Sequence, residues 1–142
     1  MALNAKKKGS KGERECARWL KETLDLDYLP ERNLEQVRHG GYDLIVKDFV
    51  IEVKRCQVLH LRQWWLQVVT ASKEIIGAEP IVIYRQNNQP WRILISARHI
   101  GCTYGYLALG TIESKQWLKQ RYALTTNISS WDAQQDIFND YI

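Results

Sequence analysis

Two acids and a lysine in the stretch GGYDLIVKDFVIEVKR, residues 40–55, stand where a pair of apolar strands would carry neutral side chains. With Lys47-Asp48 as a two-residue turn, Val46 faces Phe49, Ile45 faces Val50 and Leu44 faces Ile51, so apolar meets apolar throughout. The same register carries Asp43 opposite Glu52. Directly opposed side chains stand about 4.5–5.5 Å apart at Cβ, where like charges are destabilising, so two carboxylates placed this way require a cation. Strand alternation puts Lys54 on the face of Glu52 and turns Ile51 and Val53 to the other face. Lys-Asp lacks the Asn-Gly or Asp-Gly chemistry of favoured two-residue turns, which leaves a longer loop and a shifted register open.

Three chemistries fit this trio. A structural salt bridge from Lys54 to one acid is the plainest, and it leaves the second carboxylate unexplained. A glycosidase-like pair of acids gives no reason for the lysine. A hard divalent cation held by oxygen ligands, magnesium above all, binds through one or two carboxylates together with substrate phosphate, and a lysine beside its water then has a use.

The flanking elements must position these groups. Upstream, Cys16/Ala17, Leu20 and Leu24 fall at helical spacing, with Ser10 as N-cap of a first helix over residues 11–25. Glu13 heads that stripe. Ser10-Lys11-Gly12-Glu13 also matches a capping box, in which the glutamate reaches back to the cap residue's amide. Residues 28–33 suggest a strand that Pro30 confines to an edge, and NLEQVRHGG is a polar connection. Downstream, HLRQWWLQVVTASKEIIG is apolar at 61, 65, 68/69 and 75/76, a helix that Gly77 stops. Trp64 and Trp65 point about 100° apart on such a helix and serve the core or a subunit contact rather than one stacking surface. PIVIYR and WRILIS, split by QNNQP, predict two more strands, and TIESKQWLKQRY a helix with a basic end. A sheet with flanking helices is the architecture implied.

Composition bounds the function classes. A chain of 142 residues, 45% hydrophobic and 25% charged, has the proportions of one domain, residues 1–142, with a single core. Cys16, Cys56 and Cys102 form no CxxC pair, so neither a disulfide framework nor a zinc site is indicated, and a reducing cytoplasm fits. The basic N-terminus, residues 1–9, leads into no apolar stretch, and no run of about eighteen apolar residues occurs, which argues against a signal peptide and a membrane span. Lys and Arg outnumber Asp and Glu by twelve to ten over residues 1–60 and by eight to three over 61–124, whereas 125–142 holds three acids and no base. A basic body fits a polyanionic partner such as nucleic acid. In the acidic segment Asp132, Asp136 and Asp140 recur every four residues as one helical face, read as a solvated stripe. Asn127-Ile128-Ser129 matches a glycosylation sequon that a cytoplasmic chain does not use.

Asp43, an interval, then Glu52-x-Lys54 on an apolar strand resembles the PD-(D/E)XK nuclease superfamily, with Gly41-Tyr42-Asp43 in place of the Pro-Asp of its name. NAKKKGSKGERE, residues 4–15, resembles the opening of archaeal Holliday-junction resolvases: a basic lead-in, Lys-Gly-Ser, then Glu-Arg on the first helix. The likeness covers residues 4–96. It implies an α/β fold, a restriction-endonuclease-like mixed central β-sheet flanked by α-helices. It also implies that Glu13 joins Asp43, Glu52 and the backbone carbonyl of Val53 in holding one or two Mg²⁺, with Mn²⁺ able to substitute. By the same likeness Lys54 orients or deprotonates the attacking water, and Gln67, otherwise an ordinary solvated glutamine, lies near that water or the phosphate. Lys6, Lys7, Lys8, Lys11, Arg32, Arg38 and Arg55 become candidates for DNA-backbone contacts that position without reading bases. The implied function is a metal-dependent structure-specific endonuclease acting on branched DNA, a four-way junction, as a homodimer. A restriction-like or repair nuclease acting on duplex or ends, and a DNA-binding module without catalysis, are the alternatives.

Overall fold

The computed structural model describes the backbone of residues 2–34 and 41–139 and the side chains of residues 9–34 and 41–125. The side chains of Lys6, Lys7, Lys8, Arg38, Asp132, Asp136 and Asp140 therefore lie outside the described residues.

Helix α1 (Ala2–Leu24) is followed by the hairpin strands β1 (Leu44–Val46) and β2 (Phe49–Arg55). Helix α2 (Leu61–Ser72) then crosses to β3 (Glu79–Arg85). Strand β4 (Arg92–Ser96), a 3₁₀ turn (Ala97–Ile100), β5 (Tyr106–Ala108) and the long helix α3 (Thr111–Asn139) complete the chain. The strands form one sheet in the order β1-β2-β3-β4-β5, parallel between β2 and β3 and antiparallel elsewhere. The parallel pair needs a crossover, and α2 supplies it.

Alternation along the central strands divides the core into two layers. Ile51, Ile81, Ile83 and Ile93 pack with Cys16 and Leu20 of α1 and Leu118 of α3. Val82, Tyr84 and Leu94 face the other way, onto Trp64, Trp65 and Val68 of α2. Both tryptophans are thus buried, Trp64 against Tyr84 and Trp65 against Tyr106, with ring centroids 5.8 and 6.2 Å apart. Ser114 docks α3: its fully buried hydroxyl accepts the Ile93 amide of β4 at 3.0 Å. Ser114→Ala should leave that amide unsatisfied and cost about 1–3 kcal/mol of stability, read as a lower urea midpoint at unchanged slope. Among the described residues no helix is long and apolar enough to cross a membrane.

Several boundaries differ from the sequence reading. The first helix starts at Ala2, so Ser10 lies inside it and is no N-cap, and the capping box with Glu13 does not form. Ala, Leu and Lys, all strong helix formers, extend the helix backward through the basic lead-in. Residues 28–33 give only an isolated bridge between Arg32 and Leu44, since Pro30 has no amide to offer and β1 is three residues long. Helix α2 ends at Ser72 rather than running to Gly77. There the Thr70 and Ser72 hydroxyls bond back to the Leu66 and Val69 carbonyls, a local alternative to the helical ladder. The helix beginning at Thr111 continues into the acidic segment as far as Asn139, within α3.

The hairpin register is the expected one, Leu44 with Ile51, Ile45 with Val50 and Val46 with Phe49. Its turn is locally poor, for Lys47 adopts φ 50° in the left-handed region, which costs a side-chain-bearing residue about 1–2 kcal/mol. Tertiary contacts hold it. The Asp48 carbonyl accepts the Glu79 amide at 2.7 Å, Arg121 of α3 pairs with the Asp48 carboxylate at 3.7 Å, and the Lys47 ammonium sits 4.5 Å from the centre of the Tyr122 ring.

Candidate active site

Strand β1 begins at Leu44, opposite Ile51, so the last four residues of β2 extend past it, and Asp43 fills the start of that gap. Its amide donates to the Ile51 carbonyl at 2.9 Å, and its carboxylate Oδ2 accepts the Val53 amide at 2.7 Å. The expected placement of Asp43 squarely opposite Glu52 is therefore off by one, because the side chain has replaced the next rung of the ladder. The two acids still meet: Glu52 shares a hydrogen bond with Asp43. In an antiparallel pair a residue's N–H and C=O face the same neighbour, which aims the Val53 carbonyl along the edge where β1 has ended.

Glu52 is buried, 9% exposed, and its carboxyl is pushed from its ordinary 4.5 up to about 8. Burial is the largest cause and the Asp43 charge the second, with the Lys54 ammonium pulling the other way. Lys54 Nζ lies 3.5 Å from Glu52 Oε1, so the lysine pairs with Glu52. Glu13 enters from α1. The thiol of Cys16, one turn further along, is pushed up by burial and then by the Asp43 and Glu13 charges, which marks the convergence of both acids on one spot. A cleft of about 530 Å³ joins Glu13, Asp43, Glu52, Val53 and Lys54. Helix α1 lies close to β2 there, for a Cβ on Gly12 would meet Arg55 Cβ at 3.4 Å, in van der Waals contact.

Gln67 does not line this cleft. It lies on the exposed face of α2 along an adjoining groove of about 840 Å³, together with Arg62 and Gln63, and Glu52 forms a wall common to both spaces. Lys11 is exposed on α1. Arg55 is engaged by Glu15, 3.3 Å away, and Glu15 also holds Arg85 at 3.2 Å. Arg32 is engaged as well: Nε donates to Glu13 Oε2 at 2.6 Å and Nη2 to Ser10 Oγ at 3.0 Å. That ion pair spans nineteen positions, and no spacing in the sequence announces it. Arg62 and Gln63, which line the adjoining groove, read in the sequence as ordinary polar residues of an amphipathic helix.

For a hard cation the donor set is apt in part. Asp43, Glu52 and the Val53 carbonyl offer oxygen alone, and burial, with the Asp43 charge second, holds the Glu52 carboxyl above its ordinary value. Glu13 instead has its oxygen on Arg32, and among the described residues no group of three or more His, Cys, Asp and Glu side chains is arranged to hold a metal ion. The pair fits the cation. The third acid lines the same cleft with its Oε2 on Arg32.

No family model matches the chain, and no curated protein does. Among solved structures it resembles Hjc, a Holliday junction resolvase of the archaeal hyperthermophile Archaeoglobus fulgidus, at a TM-score of 0.51 and 18% identity over 75% of this chain and 97% of that one. The shared feature is the fold, an α/β mixed sheet of the restriction-endonuclease type found in PD-(D/E)XK nucleases.

Proposed function

We propose that this chain is a metal-dependent endodeoxyribonuclease that hydrolyses phosphodiester bonds in branched DNA, with a four-way junction as substrate and a homodimer as the working form. The observation that carries the reading is the meeting of Glu13, Asp43, Glu52 and Lys54 in one cleft, at the open edge of β2, on a fold shared with a resolvase.

Asp43, Glu52 and the Val53 carbonyl would hold Mg²⁺, or Mn²⁺ in its place. Such a cation, when bound, makes water a better nucleophile and offsets charge at the phosphate. The chain's own groups supply the rest. The Val53 amide fixes the Asp43 carboxylate. Lys54, within reach of Glu52, orients the attacking water and donates to the oxygen on which charge develops. Water adds to phosphorus and the bond to the 3′ oxygen breaks, leaving 5′-phosphate and 3′-hydroxyl ends. Lys11 and Arg62, exposed on α1 and α2, suit the DNA backbone, a sequence-independent source of affinity.

The test is a gel that compares a four-way junction, a flap and plain duplex, each with Mg²⁺ and with chelator. Symmetric, Mg²⁺-dependent nicking of the junction at concentrations that leave duplex whole is the expected result. Equal cleavage of duplex would make the chain a nuclease of broader substrate range. No cleavage of any form would sink the enzymatic reading.

A further inference from the structure

We propose that Arg32 is an exchangeable counter-ion: its guanidinium holds the Glu13 carboxylate while no divalent cation is bound, and passes to a DNA phosphate when a cation claims Glu13. The idea rests on the nuclease reading above and adds to it a coupling between cation binding and DNA binding.

The geometry supplies both ends of the exchange. Arg32 grips α1 with two prongs, Nε to Glu13 Oε2 at 2.6 Å and Nη2 to Ser10 Oγ at 3.0 Å, the first of them a charge-assisted bond of the strong class. Its backbone is pinned to the strand that carries Asp43. Arg32 bridges Leu44, the Asn33 amide donates to the Asp43 carbonyl at 2.9 Å, and Asn33 Nδ2 donates to the Tyr42 carbonyl at 3.0 Å. The side chain can therefore change partner while its anchor stays beside the acids.

Burial makes some partner obligatory for Glu13. Its side chain is 11% exposed, against 22% for Arg32, so the carboxylate is the more deeply buried partner. A carboxylate buried to that degree without a cation is costly. Arg32 meets the need in one state and a divalent ion meets it in the other, in competition for the one carboxylate. The displaced guanidinium matches phosphate oxygens as well as it matches a carboxylate, and it would be delivered where the scissile phosphate must lie. By linkage, whatever the cation does to DNA affinity, DNA does equally to cation affinity.

The experiment titrates the full chain with Mn²⁺ in the absence of DNA and follows the free ion by electron paramagnetic resonance, with circular dichroism to establish folding. Arg32→Gln should bind Mn²⁺ roughly tenfold more tightly than wild type, the scale of one charge-assisted hydrogen bond. Ser10→Ala, which removes one prong from a helix that accepts alanine readily, should move affinity the same way by about two- to threefold. Adding Glu13→Gln to Arg32→Gln should cancel the gain. With Ca²⁺ as a cation that supports binding without turnover, wild type should bind a four-way junction more tightly than in chelator, and Arg32→Gln should lose most of that increment. Unchanged or weaker Mn²⁺ binding by a folded Arg32→Gln overturns the exchange; if that variant does not fold, unchanged binding by Ser10→Ala overturns it. Wild type that binds no Mn²⁺ at all would overturn the nuclease reading too, whereas bound Mn²⁺ with no response to either substitution removes the exchange alone.

Discussion

Asp43→Asn, Glu52→Gln and Lys54→Ala should each lower single-turnover cleavage of a four-way junction by about 10²–10⁴-fold, the range expected when a group that positions or activates the nucleophile is lost, while junction binding in a gel shift run in chelator changes little. The separation follows from where the groups stand. All three line the interior of the cleft, whereas the proposed affinity for DNA rests on basic groups of the outer surface such as Lys11 and Arg62. Each substitution removes a different contact: Asp43 the partner of the Val53 amide, Glu52 the carboxyl shared with Asp43, Lys54 the ammonium 3.5 Å from Glu52. Glu13→Gln should be less severe than these three if Arg32 can release it only in part, and equally severe if it joins the cation fully. Cleavage within about tenfold of wild type by Glu52→Gln or Lys54→Ala cannot be reconciled with their assigned roles.

The second large effect lies in the cation-free protein, which should lose stability as pH rises from about 4.5 to about 8, the window between the ordinary and the folded values for Glu52. Over that window the folded chain keeps a proton that the unfolded chain gives up. The contribution is complete below 4.5 and lost as pH climbs through 8, with a ceiling of about 1.4 kcal/mol per pH unit. Mg²⁺ should reverse the trend, since a cation binds the deprotonated pair and so favours higher pH. Its stabilisation reaches about 2.7 kcal/mol at a hundredfold excess over the dissociation constant. Asp43→Asn keeps an oxygen for the Val53 amide and removes the charge beside Glu52. Its melting temperature in chelator at pH 8 should rise, the pH slope should flatten, and most of the Mg²⁺ response should vanish. Thermal melts of wild type and Asp43→Asn, each at pH 6 and pH 8 with chelator or Mg²⁺, check all three. A variant less stable in chelator whose Mg²⁺ response is intact would mean that Asp43 serves only as the substitute rung for β2.

The parts of the site legible in the sequence were those fixed by short-range periodicity. Apolar alternation gave the hairpin register, and with it the proximity of Asp43 and Glu52 and the shared face of Glu52 and Lys54. The helical stripe of Cys16, Leu20 and Leu24 placed Glu13 on the inner side of α1. What periodicity cannot carry was missed. The backbone slip at Asp43 depends on a side chain bonding an amide ten residues away, and the pairing of Arg32 with Glu13 depends on how residues after Pro30 lie against β1. The backward extent of α1 was hidden because Ser10 and the flanking Gly9 and Gly12 give a strong local stop signal that the basic run overrides. Strand β5, three residues long, is too short to leave a pattern. Tyr28 and Leu29, which suggested a strand, are about half exposed at 45% and 50% and reflect no alternation of the sheet.

The left-handed Lys47 turn bears on the order in which the molecule is built. A hairpin with a favourable turn can close early and serve as a nucleus, but this one has no such local preference. Its supports are Glu79, Arg121 and Tyr122, between roughly thirty and seventy-five positions further on, so the closure entropy of long segments must be met before the turn is secure. Strands β1 and β2 thus gain little by pairing alone. The carboxylates should therefore be brought together late, after α3 and the start of β3 are in place, so that early collapse is spared the mutual repulsion of the finished cleft.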